Sequence, residues 1–174
     1  MVGNQQFREL MGGVCSQVTI VTTADSEGPA GATVSSFASL SLDPPLVSVA
    51  FDRGSSLLGR IQQVGRFGVN ILSHAQDDLA MVFAGRDVDR FAAAPWHFDH
   101  DLPRLGEAAG WAVCDLHRTV EAGDHLLLFG LVTHAKRSDI APLVYANRTF
   151  GTHSRFAARP RKPITDHIAA FRRS

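Results

Sequence analysis

The sequence is poor in cysteine and in long apolar runs. Its two cysteines, Cys15 and Cys114, are too few for a disulfide framework or for a four-cysteine zinc site. The longest apolar stretch, residues 126–132, contains a glycine and is far shorter than the roughly 20 residues of a membrane-spanning helix. The first ten residues have no basic region followed by an apolar stretch, so they do not form a signal peptide. We therefore expect a reduced, cytoplasmic protein that does not bind a membrane.

The sequence also lacks an excess of charge of either sign. Seventeen basic and seventeen acidic side chains give a formal net charge of zero, which disfavours a general nucleic-acid binder. The charges are unevenly placed, because residues 151–174 hold six arginines or lysines against one aspartate. We predict one domain over residues 1–151 and a basic tail over residues 152–174. The tail is either a solvated terminus or, over Ile164–Phe171, a short helix that docks on a neighbouring subunit.

Three common active-site signatures are missing. No G-x-G-x-x-G follows a predicted strand, and no G-x-x-x-x-G-K-[ST] phosphate loop occurs. No G-x-S-x-G elbow is present either, so neither a Rossmann domain nor a serine hydrolase is favoured.

What the chain does contain is a series of β-branched and apolar runs separated by turn residues. Helical spacing predicts three short helices, at residues 7–11, 56–64 and 77–83, the second capped by serine and ended by Gly65. A loop is expected around Pro95 and Trp96. The predicted strands cover residues 18–23, 32–34, 46–51, 67–72, 112–120, 125–135 and 142–145. Because strands and helices do not alternate, we expect a mostly antiparallel sheet closed into a small barrel with peripheral helices.

Residues 32–41 contain five hydroxyl side chains ahead of a double proline. Such a segment is either a solvated strand face or an edge that offers N–H groups and small hydroxyls to a flat polar ligand. Further on, the sequence Asp52-Arg53-Gly54-Ser55-Ser56 begins a predicted helix. Its serines either cap the helix or, together with Arg53, bind an anion such as phosphate at the helix N-terminus.

Two histidine patterns have alternative readings. His125 follows Gly123-Asp124 at a predicted strand start, where it either faces solvent or donates a hydrogen bond or a proton to a ligand. The pair His97 and His100 has metal-ligand spacing, but no distinctive third ligand accompanies it, so we predict no metal site.

Taken in order, several of these segments resemble the flavin reductase-like family, the short-chain NAD(P)H:flavin oxidoreductases that serve two-component monooxygenases. The resemblance covers roughly residues 5–151. Its markers are TVSSF at 33–37, SLSLDPPLV at 39–47, RGSS at 53–56, GRFGVNIL at 65–72, DRFA at 89–92, GDH at 123–125 and PLVY at 142–145.

The resemblance implies a mainly β, Greek-key-like split β-barrel that binds FMN or FAD, uses NADH or NADPH and forms a homodimer. His125 would contact the nicotinamide. The residues implied to line the flavin ring and ribityl chain are Thr33, Val34, Ser35, Ser36, Phe37, Ser39 and Leu40. The remaining implied cofactor contacts are Asp52, Arg53, Ser55 and Ser56 at the phosphate end, Arg90 and Phe91 at the outer edge of the flavin, and Tyr145.

The activity implied is hydride transfer from nicotinamide C4 to flavin N5, with reduced flavin passed by diffusion to a monooxygenase. Since the two cofactors carry the chemistry, no protein nucleophile is expected. The chain departs from the family near its end, where Ala146 follows Tyr145 and Phe150 replaces a closing tyrosine. The alternative is a split-barrel module that binds flavin or another flat cofactor without turnover.

Overall fold

The computed structural model describes residues 2–85 and 88–152. The basic tail beyond residue 152, including the predicted helix Ile164–Phe171, lies outside these residues. The described helices are α1 (Asn4–Gly12), α2 (Ser56–Val64), α3 (Asp77–Ala84) and a 3-10 turn at Phe91–Ala93. The three predicted helices are thereby confirmed within one or two residues at most ends.

Strands make up most of the described chain and pair antiparallel throughout. Their bounds are β1 Ser16–Gln17, β2 Thr19–Asp25, β3 Gly28–Val34, β4 Ala38–Leu42, β5 Pro45–Asp52, β6 Arg66–Ile71, β7 Trp96–Asp99, β8 Leu102–Leu105, β9 Gly110–Ala122, β10 His125–Arg137, β11 Leu143–Ala146 and β12 Thr149–Thr152. Seven of them form one sheet in the order β3-β2-β6-β9-β10-β5-β4, with a separate sheet β1-β11-β12 and a hairpin β7-β8.

The seven-stranded sheet wraps around an apolar core, as expected for the predicted barrel. In β5 every second residue is buried, so that Val47, Val49 and Phe51 point inward. Gly130 lies at a register shift in β10, and a Cβ there would lie 2.5 Å from Cζ of Phe67. A glycine at this position therefore lets the phenylalanine ring fill the barrel.

Helix α2 packs against this core. The Ser55 hydroxyl caps it by accepting from the N–H of Leu58 at 3.4 Å, and Gly65 ends it in the left-handed region at φ 74°. Its buried face consists of Leu57, Leu58 and Ile61. Helix α3 belongs to a second apolar cluster, where Phe83 is completely buried.

The loop predicted around Pro95 and Trp96 is wrong from Trp96 onward, because residues 96–105 form the β7-β8 hairpin. His100 and Asp101 occupy its turn with φ of 55° and 63°. The hairpin is fixed by distant strands: Thr22 donates to the carbonyl of Pro103 at 2.7 Å, and the N–H of Leu105 donates to Asn70 Oδ1 at 2.8 Å. These long-range bonds have no counterpart in a local sequence pattern.

Strand β12 is also absent from the prediction. Asn147 and Arg148 form a tight turn with φ of 49° and 60°, which pairs Tyr145 with Phe150 across the two strands. Asn147 is the residue from which this turn could have been predicted, because asparagine favours turns.

In the described part of the chain, no helix has both the length and the apolar character needed to cross a membrane. Cys114 is buried inside the barrel, which raises the pKa of its thiol to about 12, with a smaller contribution from the charge of Asp115. Cys15 is exposed. Cys114 is therefore a core residue that stays protonated at neutral pH.

Replacing each of two glycines with alanine tests the packing, because one glycine is tightly enclosed and the other is not. A Cβ on Gly68 would collide with the Trp111 ring, lying 2.6 Å from Cζ3, whereas a Cβ on Gly59 in α2 has nothing within 4 Å. We expect Gly68→Ala to lower the free energy of unfolding by about 1–3 kcal/mol because of overpacking. Gly59→Ala should raise it by about 0.5–1 kcal/mol, since alanine favours a helix. Urea denaturation measures both, and equal effects would contradict the packing described here.

Candidate functional site

A groove made of three adjoining cavities runs along β3 between that strand and the N-terminus of α2. Its open end, about 670 Å³, is lined by the end of β3, the end of β5, α1 and His125. Its middle section, about 580 Å³, lies against the start of α2, the end of α3 and Arg90. The two sections share Ala32, Thr33 and Ser55. Beyond them a far chamber of about 300 Å³ shares Ser56, Leu57 and Arg90 with the middle section.

The hydroxyl-rich segment forms one wall of this groove, but two of its hydroxyls are committed to the fold. Thr33 Oγ1 donates to the carbonyl of Ala80 at 2.7 Å, which fastens β3 to α3. Ser36 Oγ donates to the carbonyl of Ala50 at 3.0 Å and accepts from its N–H at 2.9 Å, which fastens the segment to β5. Neither hydroxyl is left free to select a ligand by itself.

The backbone N–H groups of Ser35 and Ser36 remain available to a ligand instead. Both residues lie between the β3 and β4 ladders and line the open end. Among the described backbone hydrogen bonds, none uses their N–H groups. Because an extended segment outside a ladder must find other partners, these donors suit the polar edge of a flat ligand.

The residues predicted to bind a phosphate at the start of α2 do not all line the groove. Ser55 and Ser56 line the middle section, where the first N–H groups of a helix attract an anion. Arg53 turns the other way, since its Nε donates to the carbonyl of Gly123 at 3.1 Å and its Nη2 pairs with Glu121 at 3.2 Å. The assignment of Arg53 to the phosphate stays a prediction.

Among the residues that the structure describes, Arg90 is the cation that lines the middle section. Its Nη1 donates to the carbonyl of Gly31 at 2.7 Å and its Nη2 to that of Gly85 at 2.6 Å. These two bonds hold the guanidinium where the middle section meets the far chamber. Phe91 lines the far chamber and packs edge-on against Phe83, with ring centroids 5.2 Å apart.

His125 stands at the open end, directly opposite Asp52 in the pairing of β10 with β5. Its Nδ1 lies 2.7 Å from Asp124 Oδ1, which is a hydrogen bond when Nδ1 carries the proton. This bond is the main reason that the pKa of Asp124 lies below its usual range, with its own backbone N–H and the nearby charge of His125 adding to the effect. In that tautomer the Nε2 atom is free to accept a hydrogen bond.

The structure brings most but not all of the predicted residues to the groove. Val34 and Asp52 line the open end. Phe37 instead packs against the barrel core, and Ser39 and Leu40 lie exposed on the edge strand β4. Tyr145 lines two smaller cavities that share Ser35 with the open end, and its contact with a cofactor, like those of Phe37, Ser39 and Leu40, stays a prediction.

Sequence reasoning missed the contribution of α1. Phe7 and Met11 line the open end, and both side chains are about half exposed there, at 57% and 46%. Their helical spacing was visible in the sequence, but a period shows only that a helix has an apolar face, not which cavity that face meets. The carbonyl of Gly12 accepts from the N–H of Asn147 at 2.7 Å, which sets the position of α1.

The two histidines of the β7-β8 hairpin do not build a metal centre with their neighbours. His100 bonds Asp99 at 2.7 Å and lies against the ring of His134, at 4.4 Å between centroids. Over residues 2–85 and 88–152, no group of three potential metal ligands comes together.

Comparison with known proteins identifies the family. Residues 11–154 match the flavin reductase like domain, so the chain belongs to that family. A probable flavin reductase of Rhizobium meliloti is 38% identical over 148 residues, which cover 84% of this chain and 48% of that protein. A flavin reductase of Pseudomonas putida is 37% identical over 158 residues, covering 88% of this chain and 91% of its own. This chain thus spans about half the length of the first of these relatives.

Solved structures agree with this membership and confirm the split-barrel fold. Nitrilotriacetate monooxygenase component B from Mycobacterium thermoresistibile superposes with a TM-score of 0.87 at 31% identity, covering 91% of this chain and 90% of its own. The NADH:FAD oxidoreductase of Streptomyces globisporus, solved with NAD and FAD fragments, superposes with a TM-score of 0.85 at 29% identity, covering 91% and 99%.

The pairing of Asp124 with His125 can be tested by titration. We expect His125→Ala to raise the pKa of Asp124 towards its ordinary value, because the main stabilising bond to the carboxylate is lost. In the unmodified protein the bond should persist above the lowered pKa of Asp124 and disappear as the pH falls through it. Carboxyl carbon NMR shifts of Asp124 measure both. An unchanged Asp124 titration in the variant would contradict the bond.

Proposed function

We propose that this chain is an NAD(P)H:flavin oxidoreductase that supplies reduced flavin to a partner monooxygenase. The observation that carries the proposal is the groove along β3, which places a histidine at one end and a helix N-terminus with a fixed arginine further along. Family membership and the activities of the relatives support it.

The residues of the groove fit a flavin in size and in chemistry. The open end is broad and has apolar walls from Phe7, Met11 and Phe51 for an aromatic ring. The N–H groups of Ser35 and Ser36 suit the polar edge of that ring. In the middle section, Ser55, Ser56 and Arg90 suit the phosphate at the end of the ribityl chain.

When both are bound, the nicotinamide nucleotide supplies a hydride and the flavin ring accepts it. The work left to the protein is to hold two flat rings face to face and to favour negative charge at the polar edge of the flavin. Backbone donors at Ser35 and Ser36 serve the second purpose. No nucleophile is needed, and Cys114 is too deeply buried to act as one.

His125 orients the nicotinamide in this proposal. Asp124 holds the Nδ1 proton, so Nε2 presents an acceptor to the carboxamide N–H₂ at the mouth of the groove. The imidazole is 43% exposed, which lets a nucleotide arrive and leave between turnovers. His125 is thus a substrate-binding group and not an obligatory acid.

The openness of the groove supports exchange of flavin with solution, as delivery to a monooxygenase by diffusion requires. We propose a homodimer in which a second copy covers the exposed apolar side chains near the open end, among them Leu10 and Val14. Free thiols at Cys15 and Cys114 fit the cytoplasm.

A non-catalytic flavin-binding module is the alternative, and a steady-state assay separates the two. We expect oxidation of NADH or NADPH by the purified protein to depend on added FMN or FAD. His125→Ala should raise KM for the nucleotide about tenfold with a smaller change in kcat, because ground-state binding is lost. His117→Ala, on β9 outside the groove, is the matched control. Flavin binding without turnover would support the module, and an unchanged KM would remove His125 from the site.

The phosphate assignment can be tested by comparing FMN with riboflavin, which lacks the phosphate. Arg90→Gln should reduce the preference for FMN over riboflavin by roughly ten- to a hundredfold, the value of one or two charge-assisted hydrogen bonds. Arg53→Gln should change this preference less, since Arg53 bonds Glu121 and Gly123. Calorimetric titration of each apoprotein measures the ratio. The reverse ranking of the two variants would place the phosphate beside Arg53.

A further inference from the structure

The groove does not end at the phosphate seat. Past Arg90 it continues into the far chamber, along the first half of β3, where Pro29, Ala30 and Gly31 form one wall. The opposite wall is the start of α2, with Leu57 and Arg60. From Gly31, which holds Arg90, back to Pro29 the strand runs about 7 Å at roughly 3.3 Å per residue. The groove therefore extends past the seat of a terminal phosphate.

The chemistry of the far chamber differs from that of the phosphate seat. Arg60 lines it, but its guanidinium is paired with Asp25, and the bond from Arg60 is the main reason that the pKa of that carboxyl is lowered. Asp89 adds a carboxylate, while Val88 and Phe91 add apolar surface. A balanced, partly apolar chamber suits an uncharged heterocycle with its sugar better than a second phosphate.

Arg90 stands between the two compartments. Its guanidinium is held by the carbonyls of Gly31 and Gly85 and borders both the middle section and the far chamber. A cation fixed at a junction is suited to a pyrophosphate that joins two halves of a ligand, because the charged link lies there while the halves extend to either side.

We propose that this chain selects FAD over FMN, with the adenosine half of FAD bound in the far chamber against Val88 and Phe91 and the pyrophosphate beside Arg90. This inference rests on the proposed function, since it assumes that the flavin ring occupies the open end. FMN cannot make the adenosine contacts, so a substitution on the wall of the far chamber should change the affinity for FAD more than the affinity for FMN.

The test is a pair of calorimetric titrations of the full-chain apoprotein with FAD and with FMN. We expect FAD to bind at least about tenfold more tightly. Val88→Glu, at a half-exposed position, adds a carboxylate to the chamber wall and should reduce the ratio of the two affinities towards one. Ile140→Glu is the matched control, because it adds the same charge at an exposed apolar residue that lines neither compartment. Its ratio should equal that of the unmodified protein.

The outcomes separate the two proposals. Two results would overturn the adenosine chamber: equal affinities for FAD and FMN, or a ratio of affinities that Val88→Glu and Ile140→Glu reduce alike. In either case flavin-dependent NADH oxidation would persist, so the proposed function would stand. Absence of binding by both flavins, with no NADH oxidation, would overturn the proposed function and this inference together. Circular dichroism of each variant confirms that it is folded before its ratio is compared.

Discussion

The groove depends on two hydroxyl-to-backbone attachments at the end of β3. Thr33 ties the strand to α3, and Ser36 ties the segment that follows to β5. The Thr33 bond is partly buried and the Ser36 bonds are exposed, so together they set the position of the wall and contribute about 0.5–1.5 kcal/mol each. Because these hydroxyls are already used, recognition of a ligand falls to backbone N–H groups, whose positions are set by the strands on either side.

Each arginine near the site is also held in place by its own hydrogen-bond partners. Arg60 belongs to the helix α2, and Arg53 and Arg90 lie near its start. Each has a different partner: Asp25 for Arg60, the β9-β10 hairpin for Arg53 and two backbone carbonyls for Arg90. Pairing with a carboxylate neutralises the first two, while bonding to carbonyls orients Arg90 without cancelling its charge. The electrostatics of the groove are thus decided by hydrogen-bond partners and not by the number of basic residues nearby.

Local patterns predicted much of the fold. The hairpin β2-β3, the helix α2 with its Ser55 cap and Gly65 stop, and the long pair β9-β10 all carry signals that act within a few residues. The hairpin β7-β8 carries none, because Thr22 and Asn70 hold it from strands more than thirty residues away. Residue type also identified His125, Ser55 and Ser56 as candidates, and all three line the groove.

The sequence by itself determined most strands of the large sheet, the cap and stop of α2, the hydroxyl-rich segment and the Gly-Asp-His turn, since each rests on backbone preference or short-range bonding. Tertiary structure alone decided that Arg90 and not Arg53 borders the middle of the groove, that α1 contributes Phe7 and Met11, and that Ser39 and Leu40 stay on an outer edge. The physical reason is that a side chain's direction follows from pairings between distant strands, which fix its neighbours only when the whole sheet has closed.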